Sequence, residues 1–264
     1  MRRAKRRLGQ HFLTDPRLLG RIADALAATR GDTVLEVGPG RGGLTAALLE
    51  RAGRVVAIEK DGDLIPGLRA RFPGATIVEG DALEEDWQAV AGPRFLVTGN
   101  IPYNITSPLI DKALEPPRPE RIVFLVQLEV AERVTARPAT REYGALSVGV
   151  QAVAHTERLF TVPAGAFQPR PKVDSAILRL VPLENPLVSD AEVRPFRRLV
   201  VGLFGFRRKQ LLRGLRELTG WATPPLEELL GRLGIAPSLR PEVVAPEGFV
   251  GLLRGLVDGG WRAE

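Results

Sequence analysis

The sequence contains no cysteine and two histidines, His11 and His155, among its 264 residues. The absence of cysteine excludes disulfides, thiolate metal sites and a cysteine nucleophile. Two histidines are too few for a multi-histidine metal cluster, so we predict that the protein binds no metal. The sequence also lacks an apolar run of the roughly 18 residues that a membrane-spanning helix needs. We therefore predict neither a metal cofactor nor membrane association.

The N-terminal stretch MRRAKRRLGQHFL is basic but is followed by no apolar segment like that of a secretory signal. We therefore expect a cytoplasmic protein. Hydrophobic residues make up 44% of the chain and charged residues 26%, which is the balance of an ordinary globular protein. The length is sufficient for one large domain and a smaller one.

Positive charge is concentrated in two segments, although the formal net charge is only +6. Five of the first seven residues are basic, and eight basic residues but no acidic residue lie between Arg194 and Arg216. Segregated positive charge attracts phosphate backbones, whereas the simpler alternative is a basic tail and a solvated helix face. We predict nucleic acid as the partner. The predicted contacts are Arg2, Arg3, Lys5, Arg6, Arg7, Arg207, Arg208 and Lys209.

Short apolar runs alternate with helical patterns along most of the chain, which is typical of a largely parallel sheet covered by helices. The predicted strands are Thr33–Val37, Arg54–Ile58, Ala75–Val78, Arg94–Val97 and Ile122–Val126. Beyond about residue 186 the pattern is helical, rich in Arg and Leu and interrupted by prolines. The pattern therefore predicts an α/β, Rossmann-like fold with a small C-terminal helical domain. The predicted divisions are a basic segment at 1–15, the α/β domain at 16–185 and the helical domain at 186–264.

Four polar or glycine residues follow the predicted strands at their carboxyl ends: Gly38, Glu59, Asp81 and Asn100. In open parallel sheets the ligand lies beyond these ends. The sequence therefore predicts a binding site at this edge of the sheet.

The stretch EVGPGRGG contains three glycines at the spacing of a nucleotide-binding turn, Gly38, Gly40 and Gly43. Glu59 follows about 20 residues later, where a carboxylate can bind ribose hydroxyls. Spacing alone does not separate a nicotinamide nucleotide from S-adenosylmethionine, and a glycine-rich turn without a ligand is a third reading. Asp81, which could accept a hydrogen bond from an adenine amino group, favours S-adenosylmethionine.

The stretch TGNIPYNITSP, residues 98–108, follows the fourth predicted strand and decides between these cofactors. Asn100 and the carbonyl of Ile101 can accept both hydrogens of an adenine N6 amine, which directs the nitrogen lone pair towards a sulfonium methyl. Pro102 stiffens the loop, and Tyr103 can stack on the base. A turn asparagine and a core tyrosine are the structural alternatives. A hydride-transfer enzyme needs no such segment, so we predict methyl transfer to adenine.

With these motifs the sequence resembles the adenine N6,N6-dimethyltransferases of ribosomal RNA, over nearly its whole length. It is most similar to the family that modifies small-subunit (16S) rRNA during ribosome assembly. The resembling segments are LGQHFLTD, VLEVGPGRGGLT, VVAIEKD, EGDAL, GNIPYNITSPL, VPAGAFQPRPKVDSAILRL and FGFRRKQLLRGL. The resemblance implies dimethylation of two adjacent adenosines by a protein that we expect to be a monomer.

The resemblance also implies roles for individual residues. The implied cofactor contacts are His11, Leu13, Gly38, Glu59, Asp81, Ala82 and Asn100. The implied catalytic residues are Asn100, Ile101, Pro102 and Tyr103, with Phe167 as the opposite wall of the base stack. A base reached in this way must leave its helix or loop, and aromatic stacking then offsets the loss of base stacking.

Two positions depart from the family pattern. The family usually has Asn where His11 stands, and Asn-Ile-Pro-Tyr is more typical of relatives that methylate large-subunit (23S) rRNA and confer macrolide resistance. Large-subunit methylation is therefore the main alternative. A third hypothesis is a non-catalytic nucleic-acid-binding assembly or transcription factor on the same fold. A nicotinamide-dependent oxidoreductase is the fourth.

Overall fold

The computed structural model describes residues 10–262, which form two compact units. The first unit comprises residues 10–131 and His155–Pro182. The second comprises Glu132–Ala154 and residues 183–262. The division predicted between residues 185 and 186 stays a prediction, and the second unit also takes in Glu132–Ala154 from within the predicted α/β domain.

The first unit is built on a seven-stranded sheet and a separate two-stranded sheet. The strands are β1 (Phe12–Leu13), β2 (Thr33–Val37), β3 (Arg54–Glu59), β4 (Ala75–Glu79), β5 (Leu96–Asn100), β6 (Arg121–Gln127), β7 (Ala154–Val162), β8 (Phe167–Gln168) and β9 (Ser175–Pro182). The helices that follow these strands within this unit are α1 (Pro16–Leu26), α2 (Gly43–Leu49), α3 (Ile65–Arg71), α4 (Trp87–Ala91) and α5 (Thr106–Ala113).

The large sheet has the strand order β4-β3-β2-β5-β6-β9-β7. Neighbouring strands from β4 to β6 are parallel, whereas β9 runs antiparallel to β6. The chain order reverses between β2 and β5, and such a switch point leaves a crevice beyond the carboxyl ends of the strands. The predicted α/β, Rossmann-like fold is confirmed.

Helix α1 illustrates how the local sequence determines where a helix begins and which of its side chains are buried. The carboxylate of Asp15 caps the helix by accepting hydrogen bonds from the backbone amides of Arg17 and Leu18. Pro16 occupies the first helical turn, where its missing N–H costs nothing. Ile22 and Leu26 lie on the face of the helix that is buried in the hydrophobic core. Burial of each such side chain contributes about 1.5–3 kcal/mol to the stability of the fold.

The second unit is helical. Its helices are α7 (Ala145–Gln151), α8 (Val193–Gly205), α9 (Leu211–Thr219), α10 (Thr223–Arg232) and α11 (Pro246–Asp258), while α6 (Leu128–Thr135) spans the division between the units. Tyr143 is fully buried here, and its hydroxyl donates a hydrogen bond to the carbonyl of Val244 over 2.9 Å. Phe204 stacks on Phe249 at a centroid distance of 5.8 Å. None of the helices within residues 10–262 is long and apolar enough to span a bilayer.

Candidate functional site

A cavity of about 240 Å³ opens at the carboxyl ends of β2, β3, β4 and β5, entirely within the first unit. The structure brings together most of the predicted site residues along its walls. Those that line the cavity are His11, Leu13, Gly38, Glu59, Asp81, Ala82, Asn100, Ile101, Pro102 and Tyr103. The position agrees with the switch point of the sheet.

The glycine-rich turn between β2 and α2 forms one side of the cavity. Gly38 and Gly40 have φ angles of +67° and +58°, which only glycine adopts without strain. A Cβ on Gly38 would meet no atom within 4 Å, so a side chain there would project into open space. A Cβ on Gly40 would lie 2.9 Å from the ring of Phe12. The turn therefore leaves room for a ligand and keeps the backbone accessible to it.

Glu59, at the end of β3, connects this turn to the next loop. Its Oε2 accepts a hydrogen bond from the amide of Gly40 over 2.9 Å, and its Oε1 accepts one from the amide of Asp61 over 2.8 Å. The side chain is 5% exposed, and burial raises its pKa above the usual range. The backbone amide of Lys60 is a third donor to Glu59, and a carboxylate offers about four lone-pair sites, so it can still accept a hydrogen bond from a hydroxyl group.

Glu36 is a second buried carboxyl group in the cavity wall, only 1% exposed. Its Oε2 accepts a hydrogen bond from the hydroxyl of Thr45 over 2.6 Å. Burial raises the pKa of Glu36 to about 8, and the nearby Glu59 adds to the shift. Glu36 was not predicted from the sequence, although it lies two residues before Gly38, the first glycine of the motif.

Two side chains hold the backbone of the loop after β4 by hydrogen bonds to its carbonyls. The indole of Trp87 donates to the carbonyl of Ala82 over 2.8 Å, and Lys112 donates to the carbonyl of Leu83 over 2.9 Å. On the cavity side Asp81 pairs with Lys60, and this hydrogen bond holds the pKa of Asp81 below its usual range. Asp81 and Ala82 are therefore held at the cavity rim by contacts on both sides.

Asn100 ends β5 with its amide in a defined orientation. Its Nδ2 donates a hydrogen bond to the backbone carbonyl of His11 over 2.7 Å. Because the amide nitrogen is engaged there, the carbonyl oxygen of the side chain is the group left to accept from a ligand.

Tyr103 begins a 3-10 turn directly after Pro102, whose φ of −56° is fixed by its ring. The phenol oxygen of Tyr103 lies 3.0 Å from Oγ of Ser175 on β9. Burial raises the pKa of Tyr103, so the phenol is neutral near pH 7. The ring is thus anchored at its hydroxyl end, which suits a flat stacking surface.

His11 contacts the aromatic side of the site. Its ring stacks on Tyr103 at a centroid distance of 5.6 Å and an interplanar angle of 24°. Nδ1 of His11 lies 2.7 Å from the carbonyl of Pro169. His11, predicted as a cofactor contact, therefore borders the ring predicted to hold the target base.

Phe167 is placed differently from the other predicted residues. It lies in β8, is 5% exposed and packs in the hydrophobic core, and it does not line the cavity. Strand β8 pairs with β1, with Leu13 opposite Phe167. The role of Phe167 as the second stacking wall stays a prediction.

The predicted RNA-binding residues fall outside this unit or outside the described residues. Arg2, Arg3, Lys5, Arg6 and Arg7 belong to the segment before residue 10, which the structure does not describe. In the second unit Arg207 donates to the carbonyl of Arg141, and Lys209 pairs with Glu217 over 2.6 Å. Arg208 is exposed. Within residues 10–262 no cluster of three or more His, Asp or Glu side chains could hold a metal ion.

Several lining residues were missed by the sequence reasoning. Gln10 donates to Asp61 over 3.1 Å, and the guanidinium of Arg41 lies 4.4 Å from the ring centroid of Phe12. Their neighbours in the chain gave the available signal, since Gln10 and Phe12 flank His11 and Arg41 lies within the glycine motif. Lys60 follows Glu59 directly and could have been found in the same way.

The chain is similar over almost its full length to proteins that are named as methyltransferases acting on RNA or as dimethyladenosine transferases. It is 40% identical over 267 residues to the ribosomal RNA small subunit methyltransferase A of Geobacter sulfurreducens, covering 98% of this chain and 97% of that protein. A crystal structure of a dimethyladenosine transferase from Plasmodium falciparum matches with a TM-score of 0.83 and 27% identity, covering 95% of this chain and 99% of the other. The crystal structure of the 23S rRNA methyltransferase ErmE matches with a TM-score of 0.72 and 30% identity, covering 93% and 99%.

The sequence profile of the ribosomal RNA adenine dimethylase family matches residues 1–224. This match confirms the predicted enzyme class, an rRNA adenine dimethyltransferase. Together with the fold and the relatives just described, it shows that the chain belongs to the ribosomal RNA adenine dimethylase family.

Proposed function

We propose that this protein transfers methyl groups from S-adenosylmethionine to N6 of two adjacent adenosines in small-subunit (16S) rRNA. Its partner is the assembling small ribosomal subunit, on which it acts as a monomer. The observation that carries the proposal is the orientation of Asn100, whose amide nitrogen is bound by the carbonyl of His11 so that its oxygen is left for the substrate.

The cavity has the donor and acceptor groups that S-adenosylmethionine requires. Glu59 is positioned to accept hydrogen bonds from the ribose hydroxyls, and Asp81 from the adenine amine of the cofactor. Gly38 provides the open approach to the backbone, because a Cβ there would occupy the space that the ligand needs. When bound, the cofactor supplies an electrophilic methyl group on a sulfonium.

The chain contributes position and hydrogen-bond acceptors to the reaction. Tyr103 stacks on the flipped adenine and holds its plane, while the oxygen of Asn100 and the carbonyl of Ile101 accept the two N6 hydrogens. These contacts withdraw the nitrogen lone pair from the ring and direct it at the methyl group. No strong base is needed, because the product nitrogen is acidic and loses its proton afterwards. Preorganised acceptors and proximity supply the rate acceleration.

The small-subunit target is supported by the curated relatives, which are named for the small subunit and match the chain nearly end to end. The similarity to ErmE makes large-subunit methylation the alternative to test. Mass spectrometry of rRNA from a deletion strain complemented with this protein distinguishes the two. We expect dimethyladenosine to return to 16S rRNA, and its appearance only in 23S rRNA would contradict the assignment.

Replacement of Asn100 by Ala tests the catalytic role. We expect at least a 100-fold loss of turnover with RNA binding largely retained, since one preorganised polar contact in a transition state is worth about 10²–10³ in rate. The matched control is Asn185→Ala, which removes the same type of side chain in the second unit, at a residue that does not line the cavity. Unchanged turnover in the Asn100 variant would refute the catalytic role of Asn100, and absence of turnover in the native protein would favour a non-catalytic binding protein.

A further inference from the structure

The loop between β8 and β9, residues 169–174, contacts the cavity-lining residue His11 but contributes none of the lining residues itself. Its sequence, PRPKVD, combines two cations with two prolines. Arg170 and Lys172 are exposed, whereas Pro171 between them is buried. A buried proline flanked by exposed residues fixes the loop at its centre and directs both cations to the surface.

Both ends of this loop are joined to the residues proposed to hold the target base. At the entry, the carbonyl of Pro169 lies 2.7 Å from Nδ1 of His11, whose ring stacks on Tyr103. At the exit, Ser175 lies 3.0 Å from the hydroxyl of Tyr103. The two cations are therefore held in a segment that is attached at both ends to the stacking surface.

The loop is further fixed by its acidic residue. The carboxylate of Asp174 accepts a hydrogen bond from the amide of Ala164 over 2.8 Å, and its backbone carbonyl accepts one from Leu128 over 3.0 Å. Asp174 is thus engaged with the backbone and makes no ion pair with either cation. Within residues 10–262 Arg170 and Lys172 form no hydrogen bond or ion pair.

Some other cations of the described chain are already paired. Lys209 is paired with Glu217 and Arg254 with Glu192, at 2.6 Å and 2.8 Å. An ion pair must be broken before such a side chain can bind a phosphate fully, whereas Arg170 and Lys172 are available without that cost. Val173, next to them, is 47% exposed and offers an apolar contact to a sugar or base.

We propose that Arg170 and Lys172 bind the phosphates flanking the flipped adenosine, so that the loop fixes the strand while Tyr103 fixes the base. The inference rests on the proposed function, because it takes an RNA strand as the occupant. A single strand fits better than a duplex, since the target base must leave its stack to reach the cavity.

The test uses the full chain and 30S subunits from a strain that lacks this methylation. In the variant Arg170→Gln/Lys172→Gln we expect the dissociation constant for the subunit to rise about tenfold near 100 mM salt. A plot of log affinity against log salt has a negative slope, and we expect its magnitude to decrease by about 1.4, since each phosphate contact on a single strand contributes about 0.7. The affinity for S-adenosylmethionine and the circular dichroism spectrum should stay unchanged.

Two further variants separate local phosphate binding from other effects. Arg54→Gln/Arg94→Gln removes two charges at the start of β3 and just before β5, at the sheet edge away from the cavity, and should leave the slope nearly unchanged. Arg54 donates to backbone carbonyls and Arg94 pairs with Glu120, so circular dichroism checks that this variant keeps its fold. Arg170→Lys/Lys172→Arg keeps both charges and should keep the slope.

An unchanged slope in the Gln/Gln variant overturns the inference, as does an equal fall in the control at the far edge or in the charge-preserving variant. The proposed function fails separately, if the unmodified protein does not methylate the 30S subunit. Retained methylation with an unchanged slope refutes only the role of the loop.

Discussion

The buried carboxyl group of Glu36 makes a quantitative prediction about stability. Its pKa is raised from the ordinary value of 4.5 to about 8, because burial penalises the charged form. Between these pH values the folded state binds one proton more than the unfolded state. The free energy of unfolding therefore falls as the pH rises through this window, by about 1.4 kcal/mol per pH unit from this group.

Replacement of Glu36 by Gln removes this dependence and keeps the shape of the side chain. The amide oxygen can still accept the hydrogen bond from Thr45, which spans 2.6 Å in the native protein. The full shift corresponds to about 5 kcal/mol, so the variant should gain stability over the native protein up to about that amount at pH 8 and little at pH 4.5. Glu59 is present in both proteins, so the effect of burial on its own pKa cancels in the comparison, whereas its repulsion of an ionised Glu36 is part of the measured difference.

Urea unfolding of both proteins at pH 5, 6, 7 and 8 measures the difference directly. We expect the gap between the two free energies of unfolding to widen steadily with pH. A gap that does not vary with pH would show that Glu36 is not a neutral buried acid, and a variant that is less stable at pH 8 would refute the reasoning altogether.

The remaining predictions concern the loop after β4, the aromatic contact and the first helix. Trp87→Phe removes the hydrogen bond to Ala82 and should weaken binding of S-adenosylmethionine about fivefold to tenfold, measured by calorimetry; unchanged affinity would mean that the indole only fills space. His11→Asn keeps the backbone contact of that residue but removes the stack on Tyr103, so the Michaelis constant for RNA should rise by about twofold to tenfold while cofactor affinity is kept. A loss of cofactor binding instead would contradict the placement of the His11 ring on the base side of the site. Asp15→Ala removes the cap of α1 and should lower the free energy of unfolding by about 1 kcal/mol, whereas a neutral result would show that the cap contributes nothing.

The parts of the site that could be predicted from the sequence are those set by local patterns. The apolar runs predicted the five parallel strands. Because the carboxyl ends of parallel strands lie at the same edge of a sheet, the residues at these ends, such as Gly38 and Glu59, lie close together. The glycine motif and the Asn-Ile-Pro-Tyr stretch stood at two of these ends. That is why most of the predicted cofactor and base contacts line one cavity.

The missed parts depend on pairing between distant segments. Strand β9 joins β6 antiparallel, and β1 pairs with β8 across more than half of the chain. Local apolar patterns do not specify which strand pairs with which. The environment of Phe167 follows from this pairing, because opposite Leu13 it becomes a core residue. The burial of Glu36 could not be predicted either, because a carboxyl group is rarely buried and the local sequence does not show what packs around it.

The pairing of β1 with β8 also determines when the binding site can form during synthesis of the chain. The wall of the cavity that contains His11 is held by residues near position 168, so it cannot form on a nascent chain until that later segment has left the ribosome. Contacts of such long sequence separation are made late, after the costly closure of a large loop. The binding site of this enzyme is thus complete only once the segment near position 168 has been synthesised.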